Sequence, residues 1–151
     1  MIVLLDSGIL VRLLERNELL HSTVRAAVRA VKTRGDNLAM APQNVAEFWN
    51  VCTRPTSARG GLGLSISETN QRLRVLERII RILPDSPAAF SIWRNLVVTL
   101  NVSGVQVHDA RLAALMQAHQ ITHLLTLNGA DFARFPGITA LDPHTFVAQT
   151  P

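Results

Sequence analysis

Four apolar residues, Ile2 to Leu5, run directly into an aspartate, Asp6, and no other feature constrains the fold as strongly. An unbroken apolar run of this length reads as a strand buried on both faces, as in parallel sheets. Similar runs occur at Leu38–Ala41, His123–Leu127 and Ile138–Leu141. The segments between them have helical periodicity. "HSTVRAAVRAVKTR" gathers Val24, Val28 and Val31 on one face and Arg25, Arg29 and Lys32 on another. "PQNVAEFWNVCTRP" has Pro42 near its start and Pro55 after its end, matching the asymmetry of helix termini. "SISETNQRLRVLERIIRIL" opens with a capping box, Ser65 with Glu68 or Ser67 with Asn70, and predicts one helix that stops before Pro84. Further helices are expected at about Ala88–Leu100 and His108–Gln120. Strands separated by helices imply an α/β fold with a mostly parallel sheet covered on both faces. In such sheets ligands bind outside the carboxyl ends of the strands, which makes Asp6 a candidate site residue.

The chain of 151 residues suits one domain spanning 1–151, and an apolar fraction of 48% suits a packed core. No apolar run approaches the eighteen or so residues needed to span a membrane, and the amino terminus lacks the basic leader of a signal peptide. The single cysteine, Cys52, fits a reducing cytoplasm and falls on the helix side of Val45 and Phe48, as a small core residue would. Fourteen arginines and one lysine face eleven acids. An arginine-rich surplus suits bidentate phosphate contacts, and arginine-biased codon usage explains it equally well. The glycine-rich stretch "RPTSARGGLGLS" carries Arg54 and Arg59 and lacks the Gly-Lys-Ser/Thr ending of a nucleotide-binding loop. It reads as a surface connection or as a flap touching RNA.

The other acids fall at comparable places. In "HDARLAALMQAHQ", Asp109 shares a helix face with Leu112, Ala113 and Met116, while Arg111, Ala114 and Gln117 point elsewhere. A carboxylate heading a buried stripe is costly unless it caps the helix, is paired or binds a metal. Asp131 follows the turn signal Asn128-Gly129 beyond another apolar strand, where it or Asn128 would also serve as a cap. Glu47 lies on a helix face with Gln43, Asn50 and Arg54, which a solvated polar stripe would explain. Carboxylates gathered on one edge repel one another unless a cation holds them, and oxygen-only ligands suit Mg²⁺ or Mn²⁺. The histidines lack zinc-site spacing and are expected in structural roles. A haloacid-dehalogenase-like phosphatase would need an aspartate where Gly8 stands, and a receiver domain would need an early acidic pair and a late lysine.

The strand ending "LLDSG", the glutamate in "PQNVAEFWNVCTRP", "VHDARLAAL" and "LLTLNGADFARFPGITALDP" together resemble the PIN domain, and in particular the VapC-type toxins of toxin–antitoxin pairs. The resemblance covers essentially the whole chain. It implies an α/β/α sandwich around a central, mostly parallel sheet of about four to five strands. It also implies a metal-dependent endoribonuclease leaving 5′-phosphate and 3′-hydroxyl ends. By motif, the catalytic and Mg²⁺- or Mn²⁺-binding residues would be Asp6, Glu47, Asp109 and Asp131. Ser7 and Thr126 would hydrogen-bond to the acids, and Asn128 stands where many members have a further acid. An antitoxin protein, an RNA substrate and a second copy of the chain are the implied partners, with "FSIWRNLVVTL" apolar enough for a dimer surface. A non-catalytic RNA-binding or scaffold module is the alternative reading.

Overall fold

The structure, a computed structural model, describes residues 1–148; the last three residues of the expected domain lie outside the described residues. In chain order the elements are β1 (Ile2–Leu5), α1 (Ser7–Leu14), α2 (His21–Thr33), β2 (Asn37–Met40), α3 (Pro42–Thr53), α4 (Ile66–Glu77), β3 (Arg81–Ile82), α5 (Pro87–Thr99), a 3₁₀ turn (Gly104–Gln106), α6 (Val107–Ala118), β4 (His123–Leu125), α7 (Gly129–Phe132), β5 (Thr139–Leu141) and α8 (Pro143–Ala148). The five described strands form one parallel sheet in the order β3-β2-β1-β4-β5. The chain thus winds outwards from β1 through β2 to β3, returns, and winds the other way through β4 to β5. The reversal puts a topological switch point between β1 and β4, whose register pairs Val3 with His123 and Leu5 with Leu125.

Strand alternation divides the core into two layers. Val3 and Leu5 of β1, Leu38 and Met40 of β2 and Leu125 of β4 face α1, α2 and α3, meeting Ile9, Val24, Val28, Val31, Phe48 and Cys52. Leu4, Ala39 and Leu124 point the other way, onto Leu96 of α5 and Ala113 and Met116 of α6. The expected valine stripe of α2 is buried while Arg25, Arg29 and Lys32 face solvent. Cys52 is buried in the first layer, which pushes its thiol pKa up. The second layer closes around α6 more tightly than its period suggests: Ala114 is also fully buried, so the helix packs on more than one face.

The sheet has an edge strand that the sequence reading assigned to a helix. The Ser65–Glu68 capping box forms as expected, the Ser65 N–H donating to Glu68 Oε2 at 2.8 Å. The helix nevertheless ends at Glu77, and Arg81–Ile82 pairs with Ala39–Met40. The "IIRIL" run is rich in β-branched residues, and the Leu83 N–H donates to the Met40 carbonyl at 2.9 Å. Pairing with an open sheet edge buries Ile80 and Leu83, which wins over another helical turn ending against Pro84.

The "RPTSARGGLGLS" segment folds back on the end of α3. The N–H groups of Leu62, Gly63 and Leu64 donate to the carbonyls of Val51, Arg54 and Cys52 at 3.1, 2.8 and 2.8 Å. Gly61 permits this approach, because a Cβ there would lie 2.2 Å from the Pro55 carbonyl oxygen.

Candidate active site

Asp6 leaves β1 in extended conformation and caps α1. Its Oδ1 accepts the Ser7 N–H at 2.7 Å and lies 3.4 Å from the Ser7 hydroxyl. Its Oδ2 accepts the hydroxyl of Thr126 at 2.7 Å. Thr126 is fully buried just past β4, and its Oγ1 also accepts the Asn128 N–H at 3.1 Å. The carboxylate is therefore fixed across the switch point by groups from both of its strands. Burial still raises its pKa, with a smaller contribution from Glu47; the bonds from Thr126 and Ser7 oppose the rise. Capping a helix and heading a site are not exclusive roles for this residue.

Asp109 sits at the third position of α6. The helix is capped at Gln106 without a side-chain bond, so the capping explanation for Asp109 does not hold. Its carboxyl pKa is pushed up to about 6, first by burial, then by the charges of Asp131, Asp6 and Glu47, with His108 opposing. The fold thus brings the other three sequence-predicted acids within electrostatic reach of Asp109, and Glu47 within reach of Asp6. Asp131, at the third position of the short α7, is exposed. Asn128 precedes that helix without a side-chain capping bond.

Glu47 is half-buried rather than part of a solvated stripe, and the reason is Gln43, which sequence reasoning left unassigned. Its Nε2 donates to Glu47 Oε1 and to the His108 carbonyl, both at 3.0 Å, tying α3 to the first turn of α6. Its Oε1 is shielded from solvent and accepts no hydrogen bond. The only sequence signal for Gln43 was its spacing of four residues from Glu47 on one helix face. Trp93 makes a related tie, its indole N–H donating to the Val107 carbonyl at 3.0 Å. His119 and His123 contact the Pro84 carbonyl and the Thr122 hydroxyl at 2.8 Å each, which gives them structural partners.

The donor set, four carboxylates with a shielded amide oxygen lacking a partner, suits a hard divalent cation chemically. Among the described residues, no three histidine, cysteine, aspartate or glutamate side chains are placed so as to hold a metal ion. A cleft of about 200 Å³ is lined by residues including Arg12, Arg54 and Ser7, the neighbour of Asp6, and by none of the four acids themselves. A larger cleft of about 480 Å³ lies near the start of β2 and contains none of the four acids.

A parallel sheet that reverses at its first strand, with an aspartate directly at the carboxyl end of that strand, defines an open, doubly wound α/β class. The PIN domain family profile matches residues 3–138, and the chain belongs to that family. No curated protein matches it. Its fold is shared with VapBC2 from Rickettsia felis, bound to a DNA fragment from their promoter, at 16% identity and TM-score 0.70, over 93% of this chain and 98% of that one. A toxin-antitoxin complex from Klebsiella pneumoniae is similar at 20% identity and TM-score 0.63, over 93% and 97% of the two chains. VapC20 from Mycobacterium tuberculosis, a sarcin-ricin loop cleaving toxin, is similar at 14% identity and TM-score 0.57, over 99% and 96%. No helix among the described residues is long and apolar enough to cross a membrane.

Proposed function

We propose that this chain is a divalent-cation-dependent endoribonuclease and the toxin of a toxin–antitoxin pair. One observation carries the reading: in a PIN-family fold, the Asp109 carboxyl is pushed up to about 6 first by its burial and then by the charges of Asp131, Asp6 and Glu47, acids from three other parts of the chain. Natural folds rarely gather like charges without use for a counter-charge. Asp6 and Asp109 are the residues to hold Mg²⁺ or Mn²⁺, with Glu47 and Asp131 completing the set. A bound ion supplies Lewis-acid stabilisation of phosphate charge and lowers the pKa of water towards neutrality.

The protein's own groups have separable tasks. Thr126 and Ser7 hold the Asp6 carboxylate in one orientation. Gln43 holds Glu47 towards α6, where its free oxygen, Oε2, is the candidate proton acceptor for an attacking water. Asn128, in place of a further acid, supplies a neutral amide beside Thr126. The similar protein from Klebsiella pneumoniae is a toxin-antitoxin complex, and VapBC2 from Rickettsia felis is bound to a DNA fragment from their promoter, which supports an antitoxin partner here. The sarcin-ricin loop cleaving toxin supports RNA as substrate. Phe90 and Val98, exposed along one face of α5, are the side chains for a homodimer contact; Leu96 of the same apolar segment belongs to the core.

The test is cleavage of a panel of structured and single-stranded RNAs with Mg²⁺, with Mn²⁺ and with chelator, beside Asp6→Asn. Metal-dependent cutting with 5′-phosphate ends, lost in the variant, is the expected result. Folded protein that neither cuts nor binds Mn²⁺ would instead identify a PIN-fold scaffold.

A further inference from the structure

The cleft beside the first turn of α1 contains two arginines whose shielded donors are unused. Nε of Arg12 and Nε of Arg54 are both hidden from solvent, and neither donates a hydrogen bond. Arg12 donates through Nη1 to the Gly8 carbonyl at 3.1 Å, while its Nε stands 3.6 Å from Glu18 Oε2, too far for a hydrogen bond. Arg54 enters no ion pair among the described residues. Both line the same 200 Å³ cleft, together with Ser7, Gly8, Glu18 and Gly60. A Cβ at Gly8 would lie 3.4 Å from Arg12 Nη1, and one at Gly60 3.7 Å from Arg54 Nη2. The two glycines therefore leave the guanidinium groups uncovered.

A guanidinium cannot lose its proton, so a shielded N–H of this kind is relieved only by an acceptor. An anion with several oxygens matches the fork of arginine donors. The position selects the anion. Ser7 adjoins Asp6 and donates its N–H to that carboxylate, so the cleft begins next to one of the four acids, which repel the polyanion they are proposed to cut. A positive subsite one step along the strand offsets that repulsion at a phosphate that is not itself cleaved.

We infer that this cleft is a backbone-phosphate subsite for RNA, with Arg54 and Arg12 as its donors and Glu18 as the carboxylate that the phosphate displaces from Arg12. The inference rests on the reading of this chain as directed at RNA. It adds Arg12 and Glu18 to the expected RNA contacts, and it does not include Arg59, which is exposed and does not line the cleft.

The experiment measures binding of labelled single-stranded RNA in chelator, where no cleavage occurs, across a salt series. Arg54→Ala is expected to weaken binding about tenfold and to lower the salt slope by about one contact. Arg54→Lys is expected to keep the slope and lose part of the affinity, because it keeps the charge without the planar fork. Glu18→Gln, which removes the competitor, is expected to bind RNA more tightly than Glu77→Gln, which removes the same charge away from the cleft; a purely structural ion pair would leave the two variants alike. In cleavage assays Arg54→Ala should raise KM and leave kcat unchanged. Unchanged affinity and slope in Arg54→Ala, or no gain in Glu18→Gln over Glu77→Gln, would overturn the subsite even if the protein cuts RNA. The binding pattern without any cleavage would uphold it while the ribonuclease reading fails. A cleft that responds to an acidic peptide and not to RNA would overturn it in favour of a protein partner.

Discussion

At the scale of single residues, Asp109 carries the consequence of bringing four acids together. Its folded-state pKa rises from 3.8 to about 6 because burial and three neighbouring carboxylates penalise its charge. A raised carboxyl pKa means that the folded protein holds the proton more tightly than the unfolded chain. The penalty is therefore absent below about pH 4, grows as pH rises towards 6 and is constant above it. Asp109→Asn removes it. In chelator, the variant should be more stable than the parent by roughly 1–2 kcal/mol at pH 7.5, after discounting for screening at a half-buried group. At pH 4 the two should melt together. Thermal melts at the two pH values check this, and a difference independent of pH would mean that the acids do not interact as their placement requires. Asp6 is handled differently, since the Thr126 hydroxyl and the Ser7 N–H offset much of what its burial costs.

Elements decide how these residues meet, and here the sequence was only partly legible. Strands β1, β2 and β4 announce themselves as apolar runs, because a strand covered on both faces has no room for polar alternation, and the edge strand β5 lies within the apolar run Ile138–Leu141 although it is only half-buried. Asp6 was conspicuous for the same reason. Strand β3 was not legible, since its two residues are exposed and its existence depends on the edge that β2 presents. The tie made by Gln43 was also hidden: its second acceptor lies 65 residues away, and no local pattern encodes such a contact. The loop after α3 falls in between. Its glycines mark irregular backbone, but only the fold shows that Gly61 lies against Pro55. Gly61→Ala should push the loop off α3, breaking the bonds from Leu62 and Gly63 and moving Arg54. A stability loss of about 1–3 kcal/mol with weakened RNA binding is expected. Chemical denaturation and RNA titration measure the two effects separately, and an unchanged protein would show that the loop does not need this close approach.

For the whole molecule, the sheet's reversal at β1 sets the division of charge. Asp109 and the three acids whose charges act on it are four of the eleven acids, which leaves seven against fifteen basic residues elsewhere. Under the proposed function, an RNA strand would be attracted by most of the surface and repelled where it would be cut, so a counter-charge would be needed there. Cation binding would then contribute to global stability. A ligand that binds only the folded state stabilises it by RT ln(1 + [L]/Kd), about 2.7 kcal/mol at a hundredfold excess over Kd. In a chain of this size that corresponds to a rise in Tm of roughly 5–11 °C. Mn²⁺ should produce such a rise at pH 7.5 in the parent protein and little or none in Asp109→Asn, although that variant begins from the higher Tm in chelator. The crossing of the two orders is the decisive feature. A general stabilisation by salt would shift both proteins alike, and a purely structural role for Asp109 would leave the variant less stable in every condition. A carboxylate whose charge is penalised by burial and by neighbouring acids until a cation joins it makes one substitution stabilising without metal and costly with it.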